Sequence, residues 1–582
     1  MKPRRHYACT AGLIALTIPA VNALAQEERK GSEAATHDQR SLTASNGWTV
    51  DSKNTLTLGV GIRTKGQKSS LVAGGKNNSD DGNLNYAAGD EFGRVAKLTS
   101  HLKAAHEGGI GIALGATAWY DDNLLNHAVP HGNNPNSYTP NSPLSDRGFD
   151  SNAKFQGLTV LNAHLFGQAA LQAGKVDWKL GLISIERERG FSFSGGLRDI
   201  ETRNQAASSR PGAQPDEGIM PVWGATARWA LSPELRIEGF LQFKPQQNIE
   251  RGCGTYFAND YTAPGCDRVF YSSARSEQQN VRAGIFTPRS DDITPDGRLD
   301  QAGMGISYLA KAIGTRFGAF FAQYHSRTGY TDVRKGQALG PAGGSTYAIE
   351  FPEDKQLLAL TSATRFPQAQ LLWLNELSLG LNQPVQLNNS DLQEAFLTGR
   401  GFLGRDAVAA PAGSLYRGFD RFKVLQLQTG LQKEFSGVLG ANRAFLAAEV
   451  GLKHVVNLPD VSVRRYGRPE NSDSCQSAAE CATSDGFVTS NAWGYRIRGG
   501  LEYSAVGQSA LRLRPSVQFA HDVRGWAYDY SFIKGRKSLS LELDAEYAKD
   551  WFGTLSYALS RGGQFNTRKD RDYAMVSVGY RF

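Results

Sequence analysis

Charged residues at alternate positions are the first chemistry visible in this chain. Arg496, Arg498 and Glu502 lie in one segment, Arg512 and Arg514 in the next, and Glu542, Asp544 and Glu546 in a third. A spacing of two puts them on one face of neighbouring strands, where opposite charges pair across the sheet. The simplest role is salt bridging within a polar wall. The functional role is a constriction field that sorts solutes. A second group lies in Glu186 to Gly218, which mixes Arg187, Arg189 and Arg198 with Phe191 and Phe193 around several glycines. Such a loop either folds inward and narrows a lumen or stays outside in solvent.

Other reactive patterns are sparse. There is no G-x-S-x-G, no phosphate-binding G-x-x-x-x-G-K, and no H-E-x-x-H. Asp291, Asp292, Asp296 and Asp300 surround Gly297 without EF-hand spacing, which reads as an acidic turn. His101 and Lys103 face the same side as Thr99, but no serine–histidine spacing supports a hydrolase. The chain is therefore read as not an enzyme and without a cofactor. Cys253/Cys266 and Cys475/Cys481 form two close pairs that lack C-x-x-C spacing and have no histidine nearby. In an exported chain they read as two loop disulfides, not as a metal site.

The elements that must hold these residues follow from periodicity. Leu539, Leu541, Leu543, Ala545 and Tyr547 alternate with Ser540, Glu542, Asp544 and Glu546. Ala574, Val576, Val578, Tyr580 and Phe582 repeat the pattern at the C-terminus. Such runs of about ten residues cross a bilayer at a tilt, greasy face to lipid and polar face to a wet lumen. The connections alternate in length. Lys549-Asp550 is a tight turn and Arg561 to Asp572 a longer loop; Ser436 to Asn442 is short and Val456 to Thr489 very long. A soluble sandwich has no reason to keep that parity. Eighteen strand candidates emerge, the first near Thr55 and the last near Tyr573. The expected fold is all-β, a transmembrane antiparallel up-and-down barrel of about 18 strands, with short periplasmic turns and long extracellular loops. Tyr120, Trp119, Trp493, Tyr495, Tyr503, Tyr547, Trp551, Tyr580 and Phe582 stand at strand ends, as interface girdles require. Pro515 interrupts a strand on its lipid face, where it marks a bulge or a weak seam.

Composition agrees. The 582 residues are 40% apolar and 21% charged, with mean hydropathy −0.40, too polar for a bundle of spanning helices. At 10% aromatic with short charge runs, disorder is excluded. Lys2, Arg4 and Arg5, an apolar run from Ala8 to Val21, and Ala23-Leu24-Ala25 make residues 1–25 a secretory signal peptide. Its removal lowers the formal charge from +8 to +5, which on so long a chain does not imply nucleic acid. Residues 26–48 are polar, too short for the plug of an energy-coupled transporter, and suit at most a small hatch. The barrel is assigned to 49–582.

The stretch Ser208-Ser209-Arg210-Pro211-Gly212-Ala213 with Gly218-Ile219-Met220-Pro221-Val222 resembles the proteobacterial outer-membrane proteins catalogued as domain of unknown function 1302. So do Cys253-Gly254-Thr255-Tyr256-Phe257 with Ala263-Pro264-Gly265-Cys266, and Asp81-Gly82-Asn83-Leu84-Asn85-Tyr86. The resemblance implies an exported barrel associated with uptake or handling of aromatics, sterols or lipids. The terminal Phe582 with Tyr580 resembles the signal read by the barrel assembly machinery. The resulting expectation is a passive outer-membrane channel, for uptake or export of a hydrophobic or amphipathic small molecule. Its partners would be outer-membrane lipid, the assembly machinery and that solute, with the oligomeric state left open. The alternatives are a general hydrophilic porin, or a non-pore hydrolase or surface interaction protein.

Overall fold

Period-two sequence becomes a closed sheet. The computed structural model describes residues 40–43, 46–72, 80–185, 191–258, 261–270, 275–340, 343–469 and 482–582. Eighteen strands form the wall: β1 (Trp48–Arg63), β2 (Glu91–His106), β3 (Ile110–Asp121), β4 (Gln156–Ala170), β5 (Lys175–Ile183), β6 (Val222–Ala230), β7 (Leu235–Gln242), β8 (Gln301–Ala310) and β9 (Thr315–Tyr324) make the first half. The second half is β10 (Lys355–Phe366), β11 (Leu371–Gln386), β12 (Phe419–Phe435), β13 (Arg443–Val455), β14 (Asn491–Glu502), β15 (Leu511–Arg524), β16 (Arg536–Tyr547), β17 (Trp551–Gly562) and β18 (Tyr573–Arg581). Each pairs antiparallel with its sequence neighbours, and β18 closes on β1 from Thr55↔Arg581 to Arg63↔Tyr573. Closure leaves no edge, so every strand finds backbone partners on both sides without water.

The two faces differ as lipid and lumen require. Leu58, Leu98, Leu158, Met304, Leu360 and Leu541 are exposed on the outside, while Thr57, Lys97, Thr99, Gln426 and Glu449 are buried inside. Tyr547, Trp551, Tyr580 and Phe582 are also exposed, and the Trp551 and Tyr580 rings meet at 4.8 Å across the turn side of the belt. No helix among the described residues is long and apolar enough to cross a membrane; the chain crosses with strands. An apolar outer belt around a polar lumen in a closed barrel places the chain in the outer membrane, in contact with its lipid.

Three details differ from the sequence reading. β1 begins at Trp48, well before Thr55, because its polar start pairs with β2 and with a short strand, Arg40–Thr43, rather than with lipid-spanning neighbours alone. Trp119 does not join the girdle; it is buried on the lumen side, with the Arg210 guanidinium stacked 3.7 Å from its ring centre. At Pro515 the β14–β15 ladder stops after Gly500↔Ser516 and resumes at Tyr503↔Leu513 in the same register. The proline thus leaves a gap without a bulge, as expected for a residue with no donor.

The long connections lie at one end. They carry their own small sheets, one formed by Tyr330–Arg334, Thr346–Glu350 and Leu415–Tyr416. Cys253 and Cys266 form a disulfide within the loop from 243 to 300. Cys475 and Cys481 lie outside the described residues, as do residues 1–25, read above as a signal peptide. Tyr86, Phe92, Phe149, Phe155 and Tyr256 form an apolar core beneath the loops, so this end is packed protein rather than loose chain.

Candidate functional site

The connection between β5 and β6 does not stay outside. Its residues 191–221 cross the lumen and are held at both walls. On one side Phe193, 1% exposed, packs on Ala492, Ala527 and Phe532, and the Arg496 guanidinium lies 4.3 Å from its ring centre. Ser192 donates to Glu449 Oε2 through its N–H (3.0 Å) and its hydroxyl (2.7 Å). Arg496 and Arg198 both donate to the Ser192 carbonyl, at 2.7 and 2.6 Å. Gln426 donates to the Ser194 carbonyl at 3.0 Å, and the Leu197 N–H donates to Glu376 Oε1 at 3.0 Å. The chain turns there through Gly195 (φ 84°) and Gly196 (φ 61°), a left-handed pair at which a β-carbon would collide with Gln426 and Glu376. Further on, Asp199 pairs with Lys355 and accepts from the Tyr324 hydroxyl at 3.1 Å. Burial raises the Asp199 carboxyl, but Lys355 and Tyr324 outweigh it and hold it below the usual aspartate range.

The far end of the loop meets the opposite wall. Lys97 of β2 forms a wholly buried ion pair with Glu217 and donates to the Gly212 carbonyl at 2.7 Å. His101 faces Asp216 at 3.2 Å. Gly59 of β1 stands so close to Pro211 that a β-carbon would lie 2.6 Å from its carbonyl oxygen. Burial lowers the Arg210 guanidinium to about 10, partly offset by Glu217 and Asp121. The loop is therefore a strap spanning the barrel, with charge-assisted contacts at each end.

The residues singled out from sequence divide into two sets. Arg496, Phe191, Phe193 and Arg198 belong to the strap or touch it; Phe191 lies against Gly430 of β12. Arg187 and Arg189 lie outside the described residues. The others form a separate charged band on the wall toward the short turns. Arg514 reaches Glu546 at 2.9 Å, Arg512 reaches Glu546 at 3.8 Å and Glu502 at 3.9 Å. Asp544 accepts from the Thr554 hydroxyl at 2.9 Å, Glu542 is registered opposite Ser516, and Arg498 lies 5.5 Å from the Phe445 ring centre. Glu376, Gln426, Glu449, Lys97 and Glu217, which anchor the strap, were not singled out. Alternation in β2, β11, β12 and β13 marks Lys97, Glu376, Gln426 and Glu449 as lumen-facing, but nothing local distinguishes an anchor from ordinary wall, and Glu217 lies in the strap itself.

Beside the start of the strap lies a chamber of about 730 Å³. Its lining includes Lys103, His164, Phe166, Trp178, Arg228 and Glu238, with Ile185 and Phe240 toward the strap. Ile185, Phe240, Leu197 and Ile200 belong to one apolar cluster, which seals the strap's beginning to the wall.

No curated protein matches the sequence. Among solved structures, the chain is similar to OccAB3 of Acinetobacter baumannii (13% identity, 92% of this chain and 99% of that chain, TM-score 0.41). It is also similar to OccK9 (OpdG) of Pseudomonas aeruginosa (10% identity, 92% and 98%, TM-score 0.42). A third is OpdK with vanillate, from the same organism (9% identity, 91% and 98%, TM-score 0.40). The family model described as "Protein of unknown function (DUF1302)" matches residues 4–582, and the chain belongs to that family.

Proposed function

We propose that this outer-membrane barrel is a passive, selective channel for an amphipathic small molecule with an aromatic or other apolar body. The strap carries this reading. A wide 18-stranded barrel would otherwise enclose an open aqueous lumen. Here a loop tied to both walls narrows it, with Phe191 and Phe193 buried in the tie and Arg198 and Arg496 beside them. In the adjoining chamber Phe166 stands among cations, with Lys103 Nζ 5.3 Å from its ring centre and Lys179 and Arg228 in the same lining. Rings favour an apolar body and cations an acidic group. The charged band of Arg498, Glu502, Arg512, Arg514, Glu542, Asp544 and Glu546 supplies the field along the remaining wall.

Planar-bilayer recording on the folded protein tests this. We expect small conductance steps that benzoate reduces from one side by occupying the path. A large, steady, ohmic conductance unaffected by benzoate would identify a general hydrophilic porin instead.

A further inference from the structure

Three outer loops converge on a cluster that the channel does not use. Asp81 comes from the loop between β1 and β2, His131 from that between β3 and β4, and Glu277 from that between β7 and β8. Asp81 is 1% exposed and Glu277 0%. His131 Nε2 lies 2.6 Å from Glu277 Oε2 and 3.3 Å from Asp81 Oδ1. Two carboxylates thus approach one ring nitrogen, which carries at most one proton. Among the described residues, the single His131 nitrogen is the one polar group beside Glu277 Oε2 and Asp81 Oδ1, and buried Glu277 Oε1 has no hydrogen-bond partner. Asp80, also fully buried, stands next in sequence with both carboxylate oxygens unpartnered. Buried carboxylates left in this state are costly, by several kcal/mol each in order of magnitude.

We propose that Asp81, His131 and Glu277 bind a divalent transition-metal ion, with zinc the best fit. Imidazole nitrogen and carboxylate oxygen are both zinc donors, and donors about 2.0–2.1 Å from a tetrahedral ion stand about 3.3 Å apart. The three donor atoms lie within 4.8 Å of one another. The imidazole argues against calcium, which takes oxygen ligands. The ion would relieve the convergence of two anions on one nitrogen and staple three loops. The surroundings are built to hold those loops in place. Asn85 donates to the carbonyls of Gly132 (2.8 Å) and Gly254 (3.0 Å), and Asn133 donates to the carbonyl of Cys253 (3.0 Å).

The test uses the full folded barrel in detergent, stripped with EDTA and then given zinc, calcium or cobalt alone. Expected are uptake of about one zinc ion per chain, a rise in unfolding temperature with zinc but not calcium, and the visible absorption of tetrahedral cobalt. Glu277→Gln, nearly isosteric, and His131→Ala should lose the zinc uptake, while His127→Ala should keep it. A folded wild-type chain that takes up no zinc, or takes up calcium in preference, overturns the proposal. So does retention of zinc by folded Glu277→Gln; should that variant not fold, the cobalt spectrum of the wild-type chain decides alone.

Discussion

The buried Lys97–Glu217 pair gives the sharpest test of the strap. Both side chains are almost wholly excluded from solvent, at 1% and 0% exposure. In Glu217→Gln the lysine keeps its charge but faces only a neutral amide and the Gly212 carbonyl. Breaking one side of a buried pair costs about 3–5 kcal/mol, mostly as an uncompensated charge. If the strap relieves that cost by leaving the wall, its release constant rises by a factor of about 100 to a few thousand, at about 1.4 kcal/mol per factor of ten. The assay is single-channel recording with limited proteolysis of the strap from the solvent-accessible side. Glu217→Gln should show longer, larger openings and faster cleavage. The double variant Lys97→Met with Glu217→Leu removes both charges, keeps much of the volume, and should close again. Unchanged openings in the single variant, with the barrel folded, would refute the claim that this pair anchors a lumen strap. So would a double variant that opens as widely as the single one.

Other outcomes follow from the same geometry. Deleting Phe191 to Ser209 should raise conductance several-fold while the barrel still folds, as shown by heat-dependent gel mobility. Gly59→Leu should displace Pro211 and mimic partial opening in the same recordings, since a β-carbon there has no room. Cys253→Ser with Cys266→Ser should lower the stability of the outer loops by about 3 kcal/mol, read as earlier protease cleavage between 243 and 300. Because Asp199 is held below its ordinary range, its contribution is complete above about pH 4 and is lost as pH falls through the lowered value. The part of any acid-induced rise in conductance that Asp199→Asn abolishes should therefore begin only below about pH 4; an Asp199-dependent rise beginning near pH 6 would contradict this anchor.

The barrel was legible in the chain because its solvent changes side with every residue. A strand between lipid and lumen must alternate, and alternation over β16 and β18 is visible without neighbours. The parity of short and long connections followed from the same need to cross completely. Aromatic positions were legible only as strand ends, which is why Trp119, buried under Arg210, was grouped with rings that face lipid.

What tertiary structure alone decided was where the long connections go. Residues 191–221 carry phenylalanines, arginines and glycines that suit a lumen strap or an outer loop equally well. The choice depends on Glu376, Gln426 and Glu449 on one wall and Lys97 on the other, all far away in sequence. The meeting of Asp81, His131 and Glu277 is likewise set by three separate loops packing over one core. Period and polarity are properties of consecutive residues, so sequence states them directly. Which loop finds which partner depends on closing the barrel first, and no local pattern encodes that distance.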